Sequence, residues 1–132
     1  MQKPDMIACA DAIATLKGKF VAVERFTVPR GLAWPGGKVD KGETVEQAAE
    51  REFFEETGLS LAIDGKVGYY DRADRDPRGH YSSDVFHGHA SGTPRAETGK
   101  TRVLLLSEEE VQARRAEFVA DHYQMFIDRL NL

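Results

Sequence analysis

Three glutamates at spacings of three and four residues are the feature of this sequence best suited to chemistry. They are Glu52, Glu55 and Glu56. On an α-helix, at about 100° per residue, they share one face that covers about 100° of arc. Like charges at this spacing repel by about 0.2–0.5 kcal/mol on an exposed helix, and by more where solvent is partly excluded. A positive group should offset them, and carboxylate oxygens on a rigid element suit Mg²⁺ or Mn²⁺.

A helix with specified ends is predicted to position these glutamates. Residues 44–57 begin with the capping-box pattern at Thr44, and Gly58 stands where a left-handed C-terminal cap belongs. Val45 and Ala49 fall on the face of the glutamates, so the inward face becomes acidic in its second half. A solvated acidic face is the alternative interpretation, but such a face would not share its arc with apolar residues.

The segment before this helix, residues 31–42, is rich in residues that interrupt regular structure. It contains Pro35, Gly36, Gly37 and Gly42. These proline and glycine residues predict an irregular loop with neither helix nor strand. Trp34, beside the glycines, is expected either to pack this loop against the core or to form a wall of a base-binding pocket.

The other elements predict a mixed α/β or α+β domain. Apolar runs bounded by turn residues predict strands at residues 6–14, 20–26, 61–70, 81–90 and 102–106. The first two should form a hairpin, and Gly65 should weaken or bulge the third. A second capping box at Ser107 and apolar residues at helical spacing from Phe118 to Leu130 predict further helix at the end.

Composition narrows the possible functions. The length of 132 residues predicts a single domain over residues 1–132. Eighteen Lys and Arg against 22 Asp and Glu leave a net charge of −4, which offers no basic field for long nucleic acids. The single cysteine, Cys9, cannot form an internal disulfide and is expected to be a buried thiol. No run approaches the ~18 apolar residues that span a bilayer, so no membrane partner and a cytoplasmic location are expected.

The glutamates belong to a longer pattern that resembles the Nudix hydrolase signature. Residues 37–59 match Gly-x5-Glu-x7-Arg-Glu-U-x-Glu-Glu-x-Gly-U, where U is a bulky apolar residue. Every fixed position is present, and the one mild departure is Phe53, where an aliphatic residue is more usual. The resemblance implies an α/β/α sandwich around a mixed sheet. It also implies divalent-metal-dependent attack of water on a diphosphate that is linked to another moiety.

The resemblance also implies roles for individual residues. Glu52, Glu55 and Glu56 would be metal ligands and catalytic residues, and one of them could also take the proton from water. Gly37 would let the backbone approach a ligand. The remaining positions of the motif would brace the loop and the helix, and they are Glu43, Arg51 and Gly58.

Two loops outside the motif bear on the substrate. The segment 75–80 resembles the corresponding loop of ADP-ribose pyrophosphatases, in which Arg75 and Arg78 would bind phosphate oxygens. The alternative is a self-neutralising loop, because nearby aspartates could pair with these arginines. The segment 92–99 is similar to the loop where such enzymes carry an additional acidic residue. Glu97 would fill that role as a catalytic base or outer metal ligand, although an exposed loop glutamate is the more common finding.

Three functional hypotheses follow. The first is Mg²⁺-dependent hydrolysis, with Mn²⁺ as a possible substitute, of ADP-ribose or a similar nucleoside diphosphate derivative. The second is hydrolysis of damaged nucleoside triphosphates such as 8-oxo-dGTP. The third is a nucleotide-sugar-sensing module without turnover. A small-molecule nucleotide is the expected partner, and a homodimer is possible because Phe54 points away from the carboxylate face.

Overall fold

The computed structural model describes residues 6–132, and the part of the single-domain prediction that covers residues 1–5 lies outside them. The described residues form strands β1 to β7, helices α1 to α3 and a single 3-10 turn. In chain order these are β1 (Ile7–Leu16), β2 (Lys19–Arg25), β3 (Gly31–Ala33), β4 (Gly36–Lys38), α1 (Val45–Thr57), β5 (Ser60–Tyr70), β6 (Tyr81–Ser91), β7 (Thr101–Leu106), α2 (Glu108–Ala113), the 3-10 turn (Arg115–Glu117) and α3 (His122–Leu130).

The strands form one mixed sheet. Its order is β3-β2-β1-β6-β5, with β4 paired to β1 and β7 paired to β2. The central pair, β1 and β6, is parallel, whereas the other pairs are antiparallel. The predicted hairpin is confirmed, since β1 and β2 pair antiparallel across the turn at Lys17 and Gly18. The predicted irregularity in β5 is also confirmed, because the register shifts between Ile63 and Gly65.

Alternating side chains of the sheet pack against helices on both faces. On one face, Ile13 of β1 packs in a cluster with Met125 and Phe126 of α3. On the other face, Ala12 of β1 packs in a cluster with Phe53 of α1. Neighbouring side chains of β1 thus point to opposite faces of the sheet, and both faces are covered by helices. The α/β/α sandwich expected from the resemblance is therefore the observed architecture.

Helix α1 has the ends that its sequence predicts. The Thr44 hydroxyl accepts a hydrogen bond from the Gln47 amide at 3.1 Å, and the Gln47 side chain accepts one from the Thr44 amide at 2.9 Å. Gly58 adopts a left-handed conformation with φ of 76°, and its amide donates to the Phe54 carbonyl at 2.8 Å. These local interactions fix the length of the helix that carries the glutamates.

The prediction that residues 31–42 contain no regular structure is wrong. Two short strands, β3 and β4, lie within this segment, where they pair with β2 and β1. Gly36 runs so close to Asp11 and to the Ala10 carbonyl that a Cβ at this position would collide with both. Pairing with longer neighbouring strands therefore overrides the local punctuation, and the absence of a side chain at Gly36 permits it.

The prediction of helix from Phe118 onward is also wrong, because α3 begins at His122. Phe118 instead forms a bridge to Leu32, and the Val119 amide donates to the Leu32 carbonyl at 2.9 Å. Ala120 then takes a left-handed conformation with φ of 49°, which is incompatible with a right-handed α-helix. The apolar spacing of this segment reflects packing against β3.

Within residues 6–132, no helix is both long and apolar enough to cross a membrane.

We predict that Gly58→Ala lowers the free energy of unfolding by about 1 kcal/mol or more. The reason is that an L side chain is strained at a φ of 76° and its Cβ would lie 3.1 Å from the Arg95 amide nitrogen. Urea unfolding measures the change. Gly99→Ala is the matched control, because a Cβ at Gly99 meets nothing within 4 Å. Equal stability of the two variants would contradict the role given to this cap.

Candidate active site

Arg51, in the middle of α1, ties the helix to the loop that precedes it. Its guanidinium donates to both carboxylate oxygens of Glu43, at 2.7 and 3.0 Å, and to the Lys38 carbonyl at 3.0 Å. It also donates to Glu52 at 2.9 Å and to Glu55 at 3.2 Å. Hydrogen bonds from Arg51 lower the pKa of Glu43. Arg51 thus holds the loop on the helix and offsets part of the negative charge.

Gly37 lies directly against the carboxylate of Glu52. A Cβ on Gly37 would lie 2.5, 2.6 and 2.8 Å from the three carboxyl atoms of that side chain. Such distances are too short for a real Cβ contact, so a side chain at this position would displace the Glu52 carboxylate from its place beside β4. The Glu52 side chain is 18% exposed, which leaves its carboxylate at the edge of solvent.

Glu56 is the second carboxyl group beside the glycines, and it holds a proton more readily than usual. Burial raises its pKa to about 8, with further contributions from the negative charges of Asp11 and Glu52. A backbone hydrogen bond from Gly36 opposes this shift. Burial also raises the pKa of Asp11 to about 7. Burial is thus the main reason that both acids favour the protonated form, and neighbouring carboxylates add to the effect.

Glu55 does not join the other two glutamates in this structure. Its side chain is 56% exposed, and its carboxylate lies on the same guanidinium nitrogen of Arg51 as that of Glu52. The assignment of all three glutamates as metal ligands therefore stays a prediction. Because like charges repel, the carboxylates spread over Arg51 and the backbone near Gly36 instead of facing one another.

The donor set nevertheless fits a hard divalent cation. It consists of carboxylate oxygens on one face of a rigid helix, which Mg²⁺ and Mn²⁺ prefer over nitrogen or sulfur. A bound cation would stabilise the ionised forms of Glu56 and Asp11, which burial disfavours. Within residues 6–132, no three acidic, histidine or cysteine side chains already surround a single point. Binding thus requires Glu52 or Glu55 to rotate away from Arg51.

A cleft of about 110 Å³ opens beside Glu56. Its lining comes from both helical layers and from the sheet between them. Glu56 contributes from α1, His122 from the start of α3, and Asp11 and Ser83 from β1 and β6. The Ser83 hydroxyl donates a hydrogen bond to the Asp11 carboxylate. The cleft therefore has polar groups along its floor and Glu56 at one end.

The separation of β1 from β2 creates this cleft. The two strands pair only next to their turn, at Thr15 with Phe20 and Leu16 with Lys19. Farther along, β1 pairs with β4 and β2 pairs with β3. Asp11 of β1 and Val23 of β2 both line the cleft between the diverging strands. Because β4 is short and contains Gly36 and Gly37, the gap stays open.

The guanidinium of Arg75, predicted to bind phosphate, forms most of its hydrogen bonds within the protein. It is 7% exposed, forms two 2.8 Å hydrogen bonds to the carboxylate of Asp121, and donates to the Tyr81 carbonyl at 3.0 Å. These bonds join the loop before β6 to the segment before α3. Arg75 also lines the cleft, and the bonds use only part of its N–H donors, so substrate binding by Arg75 stays a prediction.

Arg78 lies nearer the surface, at the mouth of the cleft. Its guanidinium pairs with Asp76 at 2.8 Å and lies 4.8 Å from the centre of the Tyr81 ring. The self-neutralising alternative is correct for this pair and for Arg72 with Asp74. Because the Arg78 side chain is 41% exposed, it can still meet an anion that enters the cleft.

Glu97 is exposed in the loop between β6 and β7. Its carboxylate lies 3.9 Å from the guanidinium of Arg102, and its side chain is 59% exposed. The same loop is attached to the end of α1, since the Arg95 amide donates to the Thr57 carbonyl at 2.6 Å. Glu97 does not line the cleft that contains Glu56. Its proposed catalytic role stays a prediction.

The polar cleft residues that were not anticipated from the sequence as site residues include Asp11, Arg25, Ser83 and His122. Asp11 carries a signal that sequence reasoning can use, because an acidic residue interrupts an otherwise apolar strand. The other three carry no local signal, since chain-distant segments bring them together. Cys9 also lines the cleft instead of being fully buried, and burial raises the pKa of its thiol to about 11.

Comparison with known proteins identifies the family to which this chain belongs. The sequence profile of the NUDIX domain matches residues 8–128. The chain belongs to the Nudix family. Within the Nudix family, an ADP-ribose pyrophosphatase of Methanocaldococcus jannaschii is 46% identical over 78 residues, which cover 58% of this chain and 46% of that protein. A Bacillus subtilis protein provisionally named as an 8-oxo-dGTP diphosphatase is 40% identical over 76 residues, covering 56% and 46%.

A solved structure shares the fold over most of this Nudix chain. It is a bifunctional NMN adenylyltransferase/ADP ribose pyrophosphatase of Francisella tularensis in complex with AMP and a Mn ion. Its sequence is 26% identical, its TM-score is 0.83, and the match covers 96% of this chain and 42% of that one. The chain spans about half the length of the curated relatives that it matches first.

We predict that the stability of this Nudix chain without divalent cations falls as pH rises towards about 8 and then levels off. The folded pKa of Glu56, about 8, lies above its ordinary value of 4.5, so between these values the folded state keeps a proton that the unfolded state has released, and the stabilising contribution of Glu56 is lost by about pH 8. Thermal unfolding in a chelator measures the effect. Glu56→Gln should reduce the slope, leaving the part that comes from Asp11.

The control for this prediction is Glu50→Gln, on the exposed face of the same helix. It should keep the full slope. Identical pH profiles for Glu56→Gln and the unmodified protein would show that Glu56 does not keep a proton in the folded state.

Proposed function

We propose that this protein hydrolyses a nucleoside diphosphate linked to another moiety, with ADP-ribose or a similar compound as substrate, using Mg²⁺ or Mn²⁺. The observation that carries the proposal is the placement of Glu52 and Glu56 against Gly37 and Gly36, which together with Glu56 line a cleft. The names of the Methanocaldococcus jannaschii relative and of the Francisella tularensis structure, which contains AMP and a Mn ion, support this substrate class.

The proposed metal ligands are Glu52, Glu55 and Glu56. When bound, the cation would polarise phosphoryl oxygens, lower the pKa of a coordinated water and reverse the local charge that otherwise repels a diphosphate. Arg51 keeps the motif loop fixed on α1 while these side chains change partners. Either one of these glutamates or Glu97 would take the proton from water, which a positioned base can accelerate by ~10²–10⁴-fold.

The cleft would hold the part of the substrate that is not attacked. Gly37 has no side chain, so its backbone lies directly beside the Glu52 carboxylate and close to the proposed cation site. Arg78 and Arg75 line the same cleft and would meet phosphate oxygens. A cavity of about 110 Å³ is smaller than the ~300–1,000 Å³ of pockets that enclose a whole drug-sized ligand. It therefore suits one ring group of a nucleotide, with the diphosphate at its mouth.

The second candidate function is hydrolysis of damaged nucleoside triphosphates of the 8-oxo-dGTP type. The Bacillus subtilis relative, provisionally named for this activity, supports it over a similar share of the chain. A sensing module without turnover is less well supported, because every acidic position of the motif is present.

The proposal also includes the cellular setting and assembly. A single cysteine fits a reducing compartment, and we propose a cytoplasmic location. The Phe54 ring is 53% exposed on the outer face of α1, where a second copy of the chain would pack in a homodimer.

We predict that incubation with ADP-ribose and Mg²⁺ gives AMP and ribose 5-phosphate. Mass spectrometry of the products separates this outcome from the second candidate, in which 8-oxo-dGTP gives a nucleoside monophosphate and pyrophosphate. Cleavage of the triphosphate alone would establish the second function. No cleavage of any diphosphate or triphosphate with any divalent cation would favour the sensing module.

We predict that Glu56→Gln lowers kcat for this hydrolysis by at least ~10²-fold, because an amide cannot supply the carboxylate that would bind the cation. Steady-state kinetics at saturating Mg²⁺ measure the loss. Glu50→Gln changes the same residue type on the exposed face of α1 and should stay within about twofold of the unmodified protein. Near-normal turnover of Glu56→Gln would contradict the assignment.

A further inference from the structure

His122 is a buried residue of the cleft that the proposed hydrolysis does not use. It is the first residue of α3 and is 9% exposed. Its ring Nδ1 accepts a hydrogen bond from the Trp34 amide at 2.9 Å, and its carbonyl accepts one from the Trp34 indole at 2.8 Å. Trp34 in turn is 1% exposed and stacks on Phe126. Two hydrogen bonds to a buried, packed residue therefore hold the imidazole in place.

The bond from Trp34 fixes the tautomer of this imidazole. A backbone amide can only donate, so Nδ1 must present its lone pair. Burial lowers the pKa of His122 to about 4, so the ring is neutral near pH 7. A neutral ring carries one proton, which must then be on Nε2. His122 thus offers a hydrogen-bond donor at Nε2 and cannot become an acceptor there without losing the bond to Trp34.

The Nε2–H group faces the cleft. The hydrogen bonds of the described residues give it no protein partner, whereas Nδ1 and the carbonyl oxygen each have one. In the same part of the chain, no side-chain nitrogen or oxygen is both fully buried and without a partner. Nε2 is therefore accessible from the cavity that His122 lines. A donor held inside a cleft with no protein acceptor is what recognition of a ligand requires.

The surroundings of this donor indicate the chemistry of its partner. The lining of the cleft includes the apolar side chains of Val23, Ala33 and Val119 beside its polar groups. Apolar faces with a polar edge are the surface of a nucleobase, whereas a phosphate or an extended sugar is polar on all sides. The small volume of the cleft suits one such ring.

We propose that His122 is a specificity-determining residue whose Nε2–H donates a hydrogen bond to an acceptor atom on the edge of the substrate's nucleobase. This inference rests on the proposed function, because it assumes a nucleotide substrate. It adds a rule of selection: the base must present an acceptor where His122 donates. A base with a donor at that position would leave two donors facing each other, which a fixed tautomer cannot relieve.

Two substitutions separate the cleft-facing donor from the structural bond. In His122→Asn, the side-chain oxygen can replace Nδ1 as acceptor for the Trp34 amide, but no donor reaches the position of Nε2. In His122→Gln, the longer amide can place a donor near the position of Nε2, while the bond to Trp34 is lost. Trp34 is the only tryptophan, so its fluorescence reports whether each variant keeps the native packing.

We expect His122→Asn to raise KM for ADP-ribose by about tenfold while kcat stays within about twofold, because a neutral hydrogen bond is lost far from the reacting phosphate. His122→Gln should recover most of the affinity despite lower thermal stability. A merely structural role predicts the opposite order, with the larger defect in His122→Gln. Unchanged KM in a natively folded His122→Asn would overturn the inference.

A binding measurement makes the test independent of turnover. In unmodified protein with ¹⁵N-labelled histidine, AMP should shift the Nε2–H resonance of His122, which is assigned by its loss in His122→Asn. If AMP binds and shifts this signal but ADP-ribose is not cleaved, the inference stands and the proposed function fails. If ADP-ribose is cleaved and saturating AMP leaves the signal unmoved, the inference fails alone. No binding of AMP together with no cleavage of ADP-ribose contradicts both.

Discussion

The concentration of carboxyl groups around Gly36 and Gly37 is the constraint on which the rest of the site depends. Glu52 and Glu56 reach the backbone of β4 because these positions lack side chains, and Asp11 approaches the same glycines from β1. Placing acids together in a partly buried site is unfavourable unless positive charge or protons offset it. Arg51 supplies positive charge beside Glu52, whereas burial raises the pKa of Glu56 and favours its protonated form. The arrangement is costly for folding and suited to binding a cation.

The sequence correctly predicted the structural features that depend on local interactions. The ends of α1 depend on a capping box and a left-handed glycine, and both lie within the segment itself. The motif also located the helix, its glycine and its arginine. Prediction failed where pairing with chain-distant strands decides the backbone. Residues 31–42 form β3 and β4 only because β2 and β1 offer hydrogen bonds, and the segment from Phe118 is extended because it contacts Leu32.

The cleft shows the same limit at the level of the site. It exists because β1 and β2 separate after two residue pairs, which no local pattern specifies. Its polar groups come from chain-distant segments, so Ser83 and His122 could not be assigned to it beforehand, and Arg75 proved to be joined to Asp121 across the fold. In the proposed function, two sets of residues therefore have different roles. The motif on α1 carries acids whose role the family pattern implies, whereas selection among substrates depends on residues that only the folded chain assembles.

The most direct measurement of the central claim is the binding of Mn²⁺, followed by the loss of the electron paramagnetic resonance signal of the free ion. If the excess carboxylate charge on α1 forms a cation site, the unmodified protein binds Mn²⁺, and Glu52→Gln and Glu56→Gln each weaken binding by about tenfold or more, while Glu50→Gln does not. Equal Mn²⁺ affinity in all four proteins would contradict the account.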